Sequence, residues 1–234
     1  MKKPIIIGVL GGMGTYATIH LFRQYAEIFS AEKEWERPRI IIDNRCTMPS
    51  RVRAFLYNEN VDVLINEMTE SLQGLLCNGC NRIILACNTS HIFLPEIYKR
   101  APQLENNILS LIDICVEKIH LDKISNVFLL ASEGTIDAGI YQSALKDKGI
   151  GCIVPQKNEY SLIRECIEAV KQNKHNNDIK NIFLSIINKY DNCILGCTEL
   201  PILYDTYYKD VMCSHTYDPL LLALKKLKEE YDND

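Results

Sequence analysis

The 234-residue chain lacks several features that would narrow its role at once. No apolar run approaches the roughly 18 residues that suggest a membrane-crossing helix, so a membrane partner is not expected. Basic residues do not dominate. Lys and Arg number 26 against 30 Asp and Glu, a net charge of −4, which gives no footprint for nucleic acid. The 5 histidines are scattered without a metal-ligand spacing. The glycine-rich opening, Gly8-Val9-Leu10-Gly11-Gly12-Met13-Gly14, does not match G-x-G-x-x-G and lacks the Lys-Ser/Thr ending of a P-loop. It reads instead as a turn that lets backbone approach a small ligand. No low-complexity linker divides the chain.

Apolar residues at 47% and charged residues at 24% describe an ordinary soluble globular protein, long enough for one large core or two smaller ones. Met1-Lys2-Lys3 before Ile5-Ile6-Ile7 imitates the start of a signal peptide, but glycines interrupt the run and no cleavage site follows. It is read as a first strand of a cytoplasmic protein. Ten cysteines in such a chain are expected to be mostly free thiols. Cys115, Cys152 and Cys166 sit in apolar runs and look like core residues. Cys77 and Cys80 form a C-x-x-C around Asn78-Gly79, without the second pair of a zinc ribbon. A helix ending before a strand explains that pattern as well as a metal does.

Short β-branched runs occur at Ile5–Leu10, Arg39–Asp43, Arg82–Ala86, Asn126–Ala131, Gly151–Pro155 and Asn192–Leu195. Between them lie stretches with helical spacing, among them Ala17–Phe29, Val61–Leu76, Ile136–Lys148 and Tyr160–Lys171. Apolar strands alternating with helices predict an α/β fold with mainly parallel sheets flanked by helices, whose ligands bind beyond the carboxyl ends of the strands. Two of those ends look alike: Leu85-Ala86-Cys87-Asn88-Thr89 and Leu195-Gly196-Cys197-Thr198-Glu199. The repetition suggests two similar domains, 1–112 and 113–216, with a boundary near Ser110–Cys115 and a last helix, Pro219–Tyr231 within 217–234, returning to the first.

At Cys87, the capping types Asn88, Thr89 and Ser90 suggest a helix start, with Pro95 limiting its first turn. Peptide dipoles there would stabilise a thiolate, and the free N–H groups would suit a carboxylate. A buried structural cysteine beside an ordinary cap is the bland alternative. Cys197 repeats the arrangement, with Gly196 before it and Pro201 suited to a helix's first turn. Two thiols suit inversion of an α-carbon, where one face loses a proton and the other gains one. With each reacting group roughly 3–3.5 Å from the carbon, the sulfurs would stand about 7 Å apart. Arg51 could grip a carboxylate bidentately or be a solvated loop residue. Gly134-Thr135 could donate to a carboxylate or cap a helix. His91, one turn beyond Cys87, could polarise the thiol or be a satisfied supporting residue.

The segments IGVLGGMGTYAT (Ile7–Thr18), IIDNRCTMPSR (Ile41–Arg51), ACNTSH (Ala86–His91), LLASEGTIDAGIY (Leu129–Tyr141) and LGCTE (Leu195–Glu199) resemble the aspartate/glutamate racemase superfamily, in its aspartate racemase branch. The resemblance implies two pseudo-symmetric α/β domains facing across an active-site cleft, commonly in a homodimer. It also implies 1,1-proton transfer on a small amino-acid substrate without pyridoxal phosphate, metal or nucleotide. Carried over by position, Cys87 and Cys197 are the acid/base pair. Met13, Asn88, Thr89, Thr135 and Thr198 line the α-carboxylate and amino-group site. Arg51, with Lys171 as a second basic group, lies near the side-chain carboxylate, and His91 and Glu199 stand behind the cysteines. Glutamate racemases tend to carry Asp-Ser where this chain has Gly12-Met13, and His where it has Glu199. Both departures favour the aspartate branch. Thr15-Tyr16 and Arg45-Cys46 also depart from commoner residues, which bears on substrate range more than on reaction type.

The expected activity is therefore cofactor-independent racemisation of aspartate, with glutamate second. A maleate-type cis–trans isomerase would reuse one sulfur as a nucleophile and leave a covalent adduct detectable by mass. A non-catalytic amino-acid binding protein would bind tightly without isomerisation.

Overall fold

The computed structural model describes residues 4–233; Met1–Lys3, which begin the signal-like stretch, and Asp234 lie outside them. The chain forms two compact units, one of Met1–Leu111 with Leu220–Asp234, the other of Ile112–Pro219.

The first unit runs β1 (Ile6–Gly11), α1 (Thr15–Ile28), β2 (Arg39–Asn44), α2 (Arg51–Tyr57), α3 (Val61–Cys77), β3 (Arg82–Leu85) and α4 (Leu94–Arg100). Its sheet has the order β2-β1-β3, with both pairings parallel. An isolated parallel bridge from Ile83 to Ile108 extends the β3 edge. Ile83, Ile84 and Leu85 are all buried, the continuous apolar run of a parallel strand covered on both faces. Leu64, Met68, Leu72 and Leu75 of α3 pack in one cluster with Leu10, Ile83 and Leu85. Their i, i+4, i+8, i+11 spacing is that of one helix face.

The second unit contains α5 (Leu111–Leu121), β4 (Asn126–Leu130), α6 (Glu133–Asp137), α7 (Ile140–Asp147), β5 (Gly151–Ile153), α8 (Tyr160–Lys171), α9 (Asn177–Ile187), β6 (Asn192–Leu195), α10 (Leu200–Tyr207) and β7 (His215–Tyr217). Its sheet has the order β5-β4-β6-β7, parallel throughout. Ile163, Ile167 and Val170 of α8 pack with Phe183 and Ile187 of α9 and Leu195 of β6. The last helix, α11 (Pro219–Asp232), is tied to the first unit by an Arg82–Glu230 ion pair at 2.7 Å and by Tyr231 Oη donating to Glu36 O at 2.8 Å.

The predicted helix over Ile136–Lys148 is interrupted: α6 stops and α7 begins across Gly139, whose φ of +69° has no place inside an α-helix. Arg51, for which a solvated loop position was one alternative, opens α2, with Ser50 Oγ accepting from Arg53 N at 3.3 Å. Asn78-Gly79 is a helix end: Cys80 N donates to Leu75 O at 3.1 Å and Gly79 N to Leu76 O at 2.9 Å. Among the described residues no group of His, Cys, Asp or Glu is arranged to hold a metal.

Gly12 is fixed by its surroundings. Its φ is +79°, and a Cβ there would lie 2.4 Å from the backbone carbon of Arg45 and 2.5 Å from Cys46 N. The glycine turn thus admits the β2–α2 connection, backbone against backbone, where the sequence suggested approach to a ligand. Gly12→Ala combines this collision with a disfavoured dihedral. It is expected to lower stability by at least about 1–3 kcal/mol, read as an earlier urea midpoint with an unchanged slope.

Candidate active site

Both motif cysteines stand two residues beyond a strand, delivered by the same bond. Ala86 N donates to Leu10 O at 2.9 Å, and Gly196 N donates to Leu130 O at 2.8 Å. Each bond carries the pairing with the neighbouring strand, β1 or β4, one residue past the end of β3 or β6. Gly196 also has no room for a side chain, since a Cβ would lie 2.8 Å from Leu129 Cδ1 and 3.0 Å from Ala131 Cβ. Cys87 and Cys197 are free thiols, half-buried.

In the first unit, Cys87 leads into a 3-10 turn, Thr89–Phe93, and the α-helix begins only at Leu94. The expected helix start directly after Cys87 is corrected accordingly. The Asn88 side chain makes no capping bond, and Pro95 falls in the first turn of α4, where its missing N–H costs nothing. Ser90 Oγ donates to Cys87 O at 2.6 Å. The His91 ring bonds through both nitrogens. Leu111 N donates to Nε2 at 3.2 Å, so Nδ1 carries the proton and donates to Cys87 O, also at 3.2 Å. His91 therefore holds the backbone under Cys87 and makes these bonds away from the sulfur. Asn88, Thr89, Ser90 and His91 are all buried. Met13 is buried in the cluster against which Cys87 packs. Arg51 donates to Met13 O at 2.8 Å and to Pro49 O at 2.9 Å, so its guanidinium joins the glycine turn to α2. Its buried Nε has no hydrogen-bond partner among the described residues.

In the second unit, the Cys197 thiol donates to Glu199 Oε2 at 3.0 Å, and Thr198 Oγ1 donates to the same oxygen at 3.3 Å. Glu199 is only 2% exposed, and its Oε1 has no hydrogen-bond partner among the described residues. Lys171, the last residue of α8, bonds Glu168 Oε1 at 2.9 Å. Partial desolvation pulls its pKa down, but the Glu199 carboxylate, Cys197 in its ionised form and Glu168 outweigh this and leave it raised. Lys171 thus belongs to the electrostatic surroundings of Cys197. Thr135 is fully buried beyond β4, with its hydroxyl 3.2 Å from Ser132 Oγ. Ser132 escaped the sequence reading, although its place three residues before Thr135 and just past a strand was a usable signal.

Other thiols are built differently. Burial pushes Cys166 up to about 12 and Cys152 up to about 11, and raises Cys115 and Cys193 well above the ordinary thiol range. Cys115 and Cys166 are core residues, as expected, whereas Cys152 is only half-buried because β5 lies at a sheet edge.

Each unit thus carries a thiol and buried hydroxyls just past the end of a parallel strand, an arrangement of the α/β enzyme class. The Asp/Glu/Hydantoin racemase model matches residues 10–226, and the chain belongs to that family. It is 24% identical over 215 residues to the broad specificity amino-acid racemase RacX of Bacillus subtilis (strain 168), covering 88% of this chain and 90% of that one. Among solved structures, Picrophilus torridus aspartate racemase is 26% identical with a TM-score of 0.81, covering 97% of this chain and 98% of that chain. An aspartate racemase homologue from Pyrococcus horikoshii OT3 is also 26% identical, with a TM-score of 0.74 and coverage of 99% and 100%.

Two outcomes are expected. His91→Phe leaves the Leu111 N–H and the Cys87 carbonyl without these partners and should cost about 1–3 kcal/mol of stability, measured by denaturation. Alkylation of the native protein at neutral pH should leave Cys115, Cys166 and Cys193 unmodified until denaturant is added, as peptide mass mapping would show.

Proposed function

We propose that the chain racemises an acidic amino acid, aspartate first and glutamate second, by a two-base mechanism in which Cys87 and Cys197 act on opposite faces of the α-carbon. The observation that carries this reading is the matched delivery of two half-exposed thiols, each two residues past a buried parallel strand and each backed by buried polar side chains. Matched placement of two like groups suits a reaction whose forward and reverse directions are mirror images.

In each turnover one thiolate takes the α-proton while the opposing thiol supplies another, and the roles exchange for the other enantiomer. Asn88, Thr89, Thr135 and Thr198 would receive the α-carboxylate and ammonium groups beside Met13, and Arg51 and Lys171 the side-chain carboxylate. For Arg51 this requires giving up one of its two carbonyl partners, and for Lys171 leaving Glu168. The chemistry needs no cofactor, because side chains can supply both protons. The cleft between two domains, the homodimer and the cytoplasmic location implied by the resemblance belong to the same proposal.

Incubating each enantiomer of aspartate and of glutamate in deuterated water should place deuterium on the α-carbon of the inverted product. Cys87→Ser and Cys197→Ser should each lower racemisation by at least about a thousandfold, the loss expected for an acid/base group plus its positioning, with the fold retained by circular dichroism. Absence of α-deuterium, or wild-type rates in either single variant, would defeat the reading.

A further inference from the structure

We infer that Glu199 fixes the resting proton of the cysteine pair on Cys197, so that the free enzyme waits with Cys87 as the base. The inference rests on the two-cysteine reading above and adds an asymmetry to it. The Cys197 thiol donates to a buried carboxylate oxygen at 3.0 Å, an oxygen that also accepts from Thr198. The bonds formed at Cys87, by contrast, end on its carbonyl oxygen, from Ser90 and His91. One motif thus has a carboxylate at its sulfur and the other does not.

The consequence follows from proton accounting. The two-cysteine reading requires one proton shared between two sulfurs, and because the Cys197 thiol hydrogen is directed at Glu199, that proton is assigned to Cys197 and the base role to Cys87. Cys87 takes the α-proton and Cys197 gives its own to the opposite face, leaving Cys87–S–H and Cys197–S⁻. The thiolate now faces, with no hydrogen between them, a carboxylate that is itself buried and therefore weakly screened. Lys171 lies in the field of both and offsets part of this repulsion. Return to rest moves one proton from Cys87 to Cys197 through solvent. The two free forms, each able to accept only one enantiomer, are therefore unequally populated. The enantiomer that needs Cys197–S⁻ meets the minor form and shows the higher KM. Enantiomers have equal free energy, so kcat/KM is the same in both directions, and the two kcat values must differ by the same factor as the two KM values.

Glu199→Gln keeps the shape and removes the charge. It should bring the two KM values at least threefold closer together, with the kcat ratio moving by the same factor. A variant that merely disturbed packing would lower both directions alike. An unchanged ratio in an active Glu199→Gln protein overturns the inference while leaving racemisation intact; failure of the wild-type protein to racemise overturns the two-cysteine reading instead. A second measurement needs no variant. Brief iodoacetamide treatment of the wild-type protein, followed by peptide mapping, should label Cys87 at least fivefold faster than Cys197. Equal or faster labelling of Cys197 would overturn the proton placement.

Discussion

The arrangement depends on one backbone hydrogen bond made twice. By pairing Ala86 with Leu10 and Gly196 with Leu130, the chain prolongs each parallel ladder by one residue and releases a cysteine at the next step. Strand pairing is a stiff positioning device, because a slip in register would break the ladder's hydrogen bonds and repack the buried side chains on both faces. The sulfurs therefore inherit the precision of two buried sheets, while the residues that follow them are free to differ in local structure.

They do differ. After Cys87 the chain passes through a 3-10 turn before α4, whereas after Cys197 a carboxylate folds back onto the sulfur within two residues. Similar strands and unlike surroundings are what the proposed acid/base pair would need for each member to hold a different protonation state at rest. The supporting bonds follow the same division. Ser90 and the Nδ1 of His91 bond the carbonyl of Cys87, whereas one oxygen of Glu199 accepts from the side chains of both Cys197 and Thr198.

Much of this was legible in the sequence. The strands Asn192–Leu195 and Arg82–Leu85, the helix Tyr160–Lys171 and the Asn78-Gly79 helix stop follow from period, β-branching and turn chemistry. Membership of the racemase family follows from the motifs around the two cysteines. Other features were hidden for physical reasons. The three-residue β7 is too short to show a period. A helical apolar pattern runs straight through Gly139, although the backbone there has left the helix. The helix opening at Arg51, capped by Ser50, is a short one of seven residues and showed no helical period in the sequence. By contrast α9 had a readable signal, with Asn176 capping Asp178 and Ile179 and with Ile179, Phe183 and Ile187 on one face. The sequence left two readings open for His91, because one of its partners, Leu111, lies twenty residues away.

The central claim is that two sulfurs serve one carbon. A crystal structure of the protein with a bound, non-reacting four-carbon amino dicarboxylate analogue tests it most directly. Cys87 Sγ and Cys197 Sγ should lie on opposite faces of the ligand's α-carbon, each about 3–4 Å from it, within the reach that proton transfer requires. Either sulfur on the same face as the other, or beyond about 6 Å with the ligand seated, would contradict it.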